Sequence, residues 1–168
     1  MLTTDSQKIR RAGAEDANAV QQISAEAYIP TYTAVVGTIP KPATEDYGSY
    51  IERGEVWILE IEGKPIGVAV LEETPTHLLI YSIAIRPDSQ RKGYGMALLA
   101  FADKRAIELG LREVRLYTNE RMERNLTIYR RHGFIEVGKR PHPSRPGQVL
   151  VDMVRKLPLA DDNVSRLG

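Results

Sequence analysis

At 168 residues, with 42% apolar residues, 27% charged residues and a formal net charge of +1, the chain has the balance of an ordinary globular domain. That balance gives no general case for nucleic acid or an anionic membrane as partner, so basic residues matter only locally. Cysteine is absent, which excludes disulfides, thiolate metal sites and a cysteinyl nucleophile; the histidines His77, His132 and His142 lack metal-ligand spacing, so no metal is expected. No apolar run reaches the length of a membrane span and no signal-peptide pattern opens the chain, so a cytoplasmic protein without a membrane partner is expected.

Met1 to Gln7 is polar and expected to be loose, and Ile9–Arg11 reads as a short edge strand. Ala17, Val20, Ile23, Ser24 and Ala27 recur at helical spacing behind the acids Glu15 and Asp16. Tyr28–Ile29–Pro30–Thr31–Tyr32 is expected to break that helix, and a second, more polar helix is expected over Thr44–Glu52. Tyr28 and Tyr32 either line an acceptor pocket or pack over a helix end. Val56–Ile61 and Pro65–Leu71 flank Glu62–Gly63–Lys64, a hairpin pattern. With Leu78–Ile85 they predict a three-stranded antiparallel meander.

The strand Leu78–Ile85 is an apolar run interrupted only by Ser82 and bounded by Pro75 and Pro87, which suits a central strand buried on both faces. Gln90–Arg91–Lys92–Gly93–Tyr94–Gly95 follows, then a helix over Gly95–Leu109 with Leu99, Ala102, Ala106 and Leu109 on one stripe and Gly110 as its stop. Strand, basic glycine-bearing turn and helix together form a device for anions: glycine lets backbone approach a ligand, and the first helical N–H groups point at it. The stretch reads as a phosphate or pyrophosphate cradle, to which Arg91 and Lys92 add positive charge. A P-loop pattern is absent, and a dinucleotide fingerprint would need a third glycine where Leu98 stands.

Arg112–Thr118 predicts another strand, parallel to Leu78–Ile85 because a helix separates them. Asn125–His132 predicts a short helix ended by Gly133; Phe134–Ile135–Glu136–Val137 begins a further strand, followed by a loop over Arg140–Gly147 and a last strand over Val149–Val154. From Pro158 onward a disordered tail is expected, leaving residues 1–157 as one domain.

With Gln90, Gly93 and Gly95 in view, the chain resembles the GNAT superfamily of acyl-coenzyme A N-acyltransferases, whose signature is Gln/Arg-x-x-Gly-x-Gly/Ala after a central strand. A second motif also resembles that family: Asn125, a short helix, Tyr129 four residues on, then Gly133–Phe134. The resemblance covers about residues 9 to 157. It implies an α/β (α+β mixed sheet) GNAT-like fold, with antiparallel strands followed by a parallel β-α-β unit around a central cofactor cleft. The cofactor implied is acetyl-CoA as co-substrate, held by Ile83, Ala84, Ile85, Gln90, Arg91, Lys92, Gly93, Tyr94, Gly95, Met96 and Asn125. The turn N–H groups would take the pyrophosphate, and the edge of Ile83–Ala84–Ile85 would pair with the pantetheine arm. The partner implied is an amine-bearing acceptor, and the resemblance allows a homodimer.

The implied reaction is direct attack by an amine on the acetyl thioester, since no cysteine is available to carry the acyl group. The carbonyl oxygen needs a backbone donor, placed by resemblance near Ile83–Ile85. The leaving thiolate needs a donor, the role that resemblance assigns to Tyr129. Many family members carry a glutamate on the central strand to take the amine proton; here Leu78–Ile85 has none, and Tyr81 is the candidate end of a water chain. Glu26, Glu72, Glu73 and His77 lie outside the strand core. Deprotonating a lysine amine at pH 7 costs about 4.6 kcal/mol and an α-amine about 1.4, so a low-pKa acceptor is expected. Lys139, Arg140, His142 and Arg145 read as a solvated basic loop or as a selector for an anionic acceptor. A non-catalytic acyl-CoA-binding or sensing module is the alternative that the missing strand carboxylate permits, and a nucleotide-binding module is disfavoured by the absent nucleotide motifs.

Overall fold

β-Branched residues beside a Glu62–Gly63 turn make the hairpin that starts the sheet. Both turn residues adopt positive φ (52° and 78°), and Ile61 pairs with Lys64 across them. This is the mirror-image turn whose twist matches that of the strands it joins. The computed structural model describes residues 6–158, and among them the strands are β1 (Gln7–Arg11), β2 (Val56–Ile61), β3 (Lys64–Glu73), β4 (Leu78–Ile85), β5 (Glu113–Asn119), β6 (Ile135–Pro141) and β7 (Val149–Lys156). The helices are α1 (Ala17–Val35), α2 (Gly48–Glu52), α3 (Tyr94–Glu108) and α4 (Glu123–His132). The expected tail beyond Pro158 lies outside the described residues.

The chain divides at Glu72/Glu73, Leu79/Ile80 and Leu98/Leu99 into two compact units, so β3, β4 and α3 each begin in one and end in the other. In the first unit the strands run β1-β2-β3-β4, with β1 antiparallel to β2 and β2 antiparallel to β3. Register shifts between Leu59 and Glu60, opposite Pro65, where proline has no N–H to give the ladder. Val20 and Ile23 of α1 and Tyr47 and Ile51 near α2 pack on Val56, Ile58, Val68, Val70 and Ala84. Each fully buried aliphatic side chain in that layer contributes about 1.5–3 kcal/mol.

Two helices depart from the bounds expected of the sequence. Helix α1 does not break at Tyr28–Tyr32; it continues through Pro30 to Val35. Pro30 deprives Glu26 of an intrahelical donor, yet Tyr28 is anchored through its hydroxyl to Ser82 Oγ and the Ile83 carbonyl, each at 3.0 Å. Its ring also lies 5.6 Å from that of Tyr32, whose carbonyl accepts from Val36 and Gly37. Tertiary contacts thus carry the helix past its breaker. The second helix is shorter than Thr44–Glu52: a 3₁₀ turn occupies Lys41–Ala43, and α2 begins only at Gly48, whose N–H is taken by Asp46 Oδ1 at 3.0 Å. Residues 44–47 are left irregular, with the Tyr47 hydroxyl bonded to the Pro42 carbonyl.

In the second unit the strands run β4-β5-β7-β6. The β4–β5 pair is parallel (Leu78↔Val114, Leu79↔Arg115), and β5–β7 and β7–β6 are antiparallel. Strand β6 extends to Pro141, so Arg140 and Pro141, expected in the loop, are strand residues paired with Leu150 and Val149 of β7. Leu99, Ala102 and Ala106 form the buried stripe of α3, which closes with Gly110 N–H on Ile107 O and Leu111 N–H on Ala106 O. Arg155 ties the end of α4 down, donating to the His132 carbonyl at 2.7 Å and to Asp103 at 2.9 Å, while His132 Nε2 meets the same carboxylate at 2.8 Å.

Arg10 joins β1 to the approach to α1. Its guanidinium donates to both oxygens of Asp16 (2.8 and 2.9 Å) and to Glu60 (2.6 Å), and Asp16 also accepts the Gly13 N–H at 2.8 Å. The Arg10 hydrogen bonds hold the Asp16 carboxyl below the usual aspartate range, with burial opposing them. A group whose folded pKa is depressed adds stability that is complete above its unfolded value near 3.9 and lost as pH falls through the folded value. Asp16→Asn is therefore expected to lower stability by about 2 kcal/mol at neutral pH. Below about pH 4 its Tm should fall less steeply than that of the wild type, as read from melting curves between pH 2 and 7.

Candidate active site

The turn between β4 and α3 has the predicted strand–turn–helix form. After Ile85 a 3₁₀ turn spans Pro87–Ser89, Gln90 is extended, Arg91 and Gly93 take positive φ (64° and 86°), and α3 starts at Tyr94. The first helical bond runs from Ala97 N–H to Gly93 O at 3.1 Å, so the N–H groups of Tyr94, Gly95 and Met96 precede the helical ladder. A Cβ built on Gly95 would meet nothing within 4 Å. Packing therefore does not require glycine there, whereas close approach of a ligand to bare backbone would. Arg91 and Lys92 are exposed beside it. Arg86, by contrast, is engaged by Glu26 at 3.0 Å and by the Pro65 carbonyl at 3.0 Å.

The Arg86 N–H bonds Ile66 O at 2.9 Å, which sets the phase of β4. In an antiparallel pair the N–H and C=O of one residue point to the same side and alternate along the strand, so Ile83 and Ile85 direct theirs away from β3. The Ile83 carbonyl on that edge accepts the Tyr28 hydroxyl, and the Ile85 carbonyl accepts Gln90 Nε2 at 3.0 Å. Gln90 thus braces the turn from within. Ile83 and Ile85 present their N–H groups on the same edge, and Ala84 is buried, turned to β3.

Tyr81, Ile83 and Ile85 form the half-buried row of β4, alternating with buried Ile80, Ser82 and Ala84. The Tyr81 hydroxyl donates to Glu45 Oε2 at 2.9 Å, and its ring stacks on Tyr50 with centroids 5.3 Å apart and planes 25° from parallel. Tyr50 in turn donates to Glu72 at 2.8 Å and lies under the Arg53 guanidinium at 4.8 Å. Burial, then the Glu45 hydrogen bond and charge, push the Tyr81 phenol far above its usual range; burial and Glu72 do the same to Tyr50. Burial pushes Tyr47 up to about 12. These phenols stay protonated and act as donors.

The acids named from sequence are engaged elsewhere. Glu26 pairs with Arg86, Glu72 with Tyr50 and Glu73 with Arg105 at 3.0 Å. His77 lies against Thr76 Oγ1 at 2.8 Å, its pKa lowered by burial and then by Arg115. Glu45 is the carboxylate that reaches Tyr81, and sequence reasoning missed it. It stands in the irregular stretch before α2, 36 residues from its partner, with no periodicity to mark it.

In the second unit, Asn125 and Tyr129 stand one turn apart on α4, both half-buried. The helix ends at Gly133, the Phe134 N–H bonds the Tyr129 carbonyl at 3.0 Å, and the two rings meet edge-on at 6.0 Å. The basic residues are answered within the protein. Lys139 faces Glu120 at 3.6 Å, and Arg140 donates to Asp152 at 2.9 Å and lies over Tyr117 at 4.9 Å. His142 accepts the Ser144 N–H, and burial followed by Arg145 and Arg140 lowers its pKa.

Residues 20–134 match the model of the Acetyltransferase (GNAT) family, which is more than half of the chain. This chain belongs to the GNAT family. A curated relative, the uncharacterized N-acetyltransferase YvbK of Bacillus subtilis (strain 168), is 31% identical over 94 residues, spanning 55% of this chain and 61% of that protein. Among solved structures, the ribosomal-protein-S18-alanine N-acetyltransferase of Escherichia coli superposes with a TM-score of 0.75 at 21% identity, covering 94% of this chain and 97% of that one. The PaiA N-acetyltransferase of Thermoplasma acidophilum, in complex with coenzyme A, gives 0.73 at 20% identity, covering 90% and 99%. The mixed sheet of this GNAT chain, antiparallel strands followed by a parallel β-α-β unit, is the fold these structures share. Among the described residues no group of His, Asp and Glu could hold a metal ion, and no helix is long and apolar enough to cross a membrane.

Arg91 at positive φ carries a backbone penalty of about 1 kcal/mol that glycine would not. Arg91→Gly is expected to hold or raise Tm by a degree or two in thermal melts. In the same preparation it should weaken coenzyme A binding roughly 2–5-fold by calorimetry, because a charge beside the turn is lost.

Proposed function

We propose that this GNAT-family protein is an acetyl-CoA-dependent N-acetyltransferase acting on a primary amine by direct transfer. The observation that carries the reading is the turn from Gln90 to Met96, with Arg91 and Gly93 at positive φ, exposed Arg91 and Lys92, and open space over Gly95 ahead of the α3 ladder. Coenzyme A in the Thermoplasma acidophilum relative supports the cofactor, and the three relatives' names support an amine nitrogen as acceptor. The family match runs through both units, which supports residues 1–157 as one acetyltransferase domain.

Acetyl-CoA supplies an activated thioester. Gly93, Tyr94, Gly95 and Met96 offer backbone N–H groups to its pyrophosphate, Arg91 and Lys92 add charge, and Gln90 holds the turn in shape through Ile85. The edge of Ile83–Ala84–Ile85 binds the pantetheine arm with the N–H groups of Ile83 and Ile85, one of which serves the carbonyl oxygen as charge develops on it. Asn125 contributes to the cofactor site from α4. Tyr129 donates to the departing thiolate; a phenol near pKa 10 against a thiol near 8.5 favours hydrogen-bond stabilisation over complete proton transfer.

Coenzyme A at 100 times its Kd is expected to stabilise the protein by about 2.7 kcal/mol, raising Tm by roughly 5–10 °C. ATP and NAD at equal concentration should leave Tm unchanged, and an equal shift with all three would refute the cradle assignment. Tyr129→Phe should lower the rate of thiol release from acetyl-CoA by about 10²-fold with coenzyme A affinity intact. Full activity in that variant would remove Tyr129 from the reaction.

A further inference from the structure

The acceptor nitrogen must lose a proton before it can attack, and β4 carries no carboxylate from Leu78 to Ile85. The structure brings one from outside the strand. We propose that Glu45 is the proton acceptor for the amine and that Tyr81 is the positioning residue that aims its carboxylate. This rests on the acetyltransferase reading and adds to it a catalytic residue from the irregular segment before α2.

Tyr81 stands two residues from Ile83 on one row of β4, about 7 Å along the strand from the edge proposed to hold the thioester. Its hydroxyl fixes Glu45 Oε2 at 2.9 Å, while Oε1 of the same carboxylate accepts no hydrogen bond from the described residues. The Glu45 side chain is only 18% exposed, so it is sheltered and oriented and still has an oxygen to offer. The titratable groups facing it are Tyr81 from β4, Tyr47 and Tyr50 around α2, and Lys41 one turn back at 3.6 Å. The three phenols stay protonated across any working pH. Lys41 is 77% exposed, and such surface pairs are weak enough for an incoming ammonium to displace. Four carboxylates of the first unit are held by arginines and so are not available in the same way: Asp16 and Glu60 by Arg10, Glu26 by Arg86, Glu55 by Arg53. Glu72 also holds a phenol, but that of Tyr50, one ring further from β4.

The proton balance is complete. The ammonium form gives one proton to Glu45, which passes it to solvent. The neutral nitrogen then forms the C–N bond, the C–S bond breaks, and the second nitrogen proton is the one that ends on the coenzyme A sulfur. The acceptor class that needs such a residue is an amine protonated at working pH.

The test compares thiol release from acetyl-CoA in wild type, Glu45→Gln, Glu45→Asp, Tyr81→Phe and Glu72→Gln from pH 6.5 to 10. Two probes are used: alaninamide, an α-amine, and Nα-acetyl-lysinamide. Glu45→Gln should lose about 10²–10⁴-fold at pH 7. The loss should be larger for the lysine probe and shrink toward unity as pH approaches each amine's own pKa, where free base is already present. Glu45→Asp should recover part of the rate, and Tyr81→Phe should show a smaller loss of the same form. Coenzyme A affinity should stay at the wild-type value in all four variants, and each should still melt cooperatively, with Tm lowered by a few degrees where the Tyr–Glu hydrogen bond is lost. A Glu45→Gln loss equal at every pH, or a pH-dependent loss in Glu72→Gln instead, overturns the assignment while the acetyltransferase reading stands. No thiol release by wild type with either amine overturns both.

Discussion

The pairing of β4 with β3, which ends at Arg86 N–H on Ile66 O, sets the phase of β4, and the candidate site depends on that phase. Because donors and acceptors alternate along an extended strand, this pairing turns one set of β4 groups toward β3 and leaves Ile83 and Ile85 facing the other way. A slip of one residue would exchange the two sets. Tyr81 would then trade places with Ser82, and the open edge would present Ala84 instead of its neighbours. The mirror-image turn at Glu62–Gly63 and the register shift opposite Pro65 secure the hairpin that carries Ile66.

Side chains reinforce this edge at two points. Tyr28 crosses from α1 to bond Ser82 and the Ile83 carbonyl, and Gln90 folds back from the turn onto the Ile85 carbonyl. Both satisfy a carbonyl acceptor on the side of β4 that faces away from β3. Tyr28 has a second consequence, since its anchorage holds α1 helical across Pro30. One hydroxyl therefore links helix continuity to strand chemistry.

Four tyrosines of the first unit, Tyr81, Tyr50, Tyr28 and Tyr47, donate their hydroxyls to specific acceptors: Glu45, Glu72, the Ile83 carbonyl and the Pro42 carbonyl. Burial raises the pKa of Tyr47, Tyr50 and Tyr81, so their role is to orient charge rather than to carry it. In the second unit orientation is achieved by ion pairing instead, with Arg155, Asp103 and His132 fixing the end of the helix that bears Asn125 and Tyr129.

What lay within a few residues was legible from the amino-acid order alone. The hairpin, the buried run of β4, the glycine-bearing turn, the apolar stripe of α3 and the Asn125–Phe134 motif are all local patterns, in which periodicity and turn chemistry act over one element. The family and the strand–turn–helix cradle followed from them. What only the folded chain decided depends on residues far apart in sequence. Pro30 marks a break by its own chemistry, and only a hydroxyl bond to a strand 55 residues away shows why the helix continues. Strand β6 outlasts its apolar residues because β7 pairs with it, and Arg140 meets Asp152 for the same reason. Glu45 is one acid among 22 Asp and Glu residues in the chain until folding sets it against Tyr81. Local patterns specify elements; the pairing of distant polar atoms is set by packing, where burial makes each unpaired donor or acceptor costly.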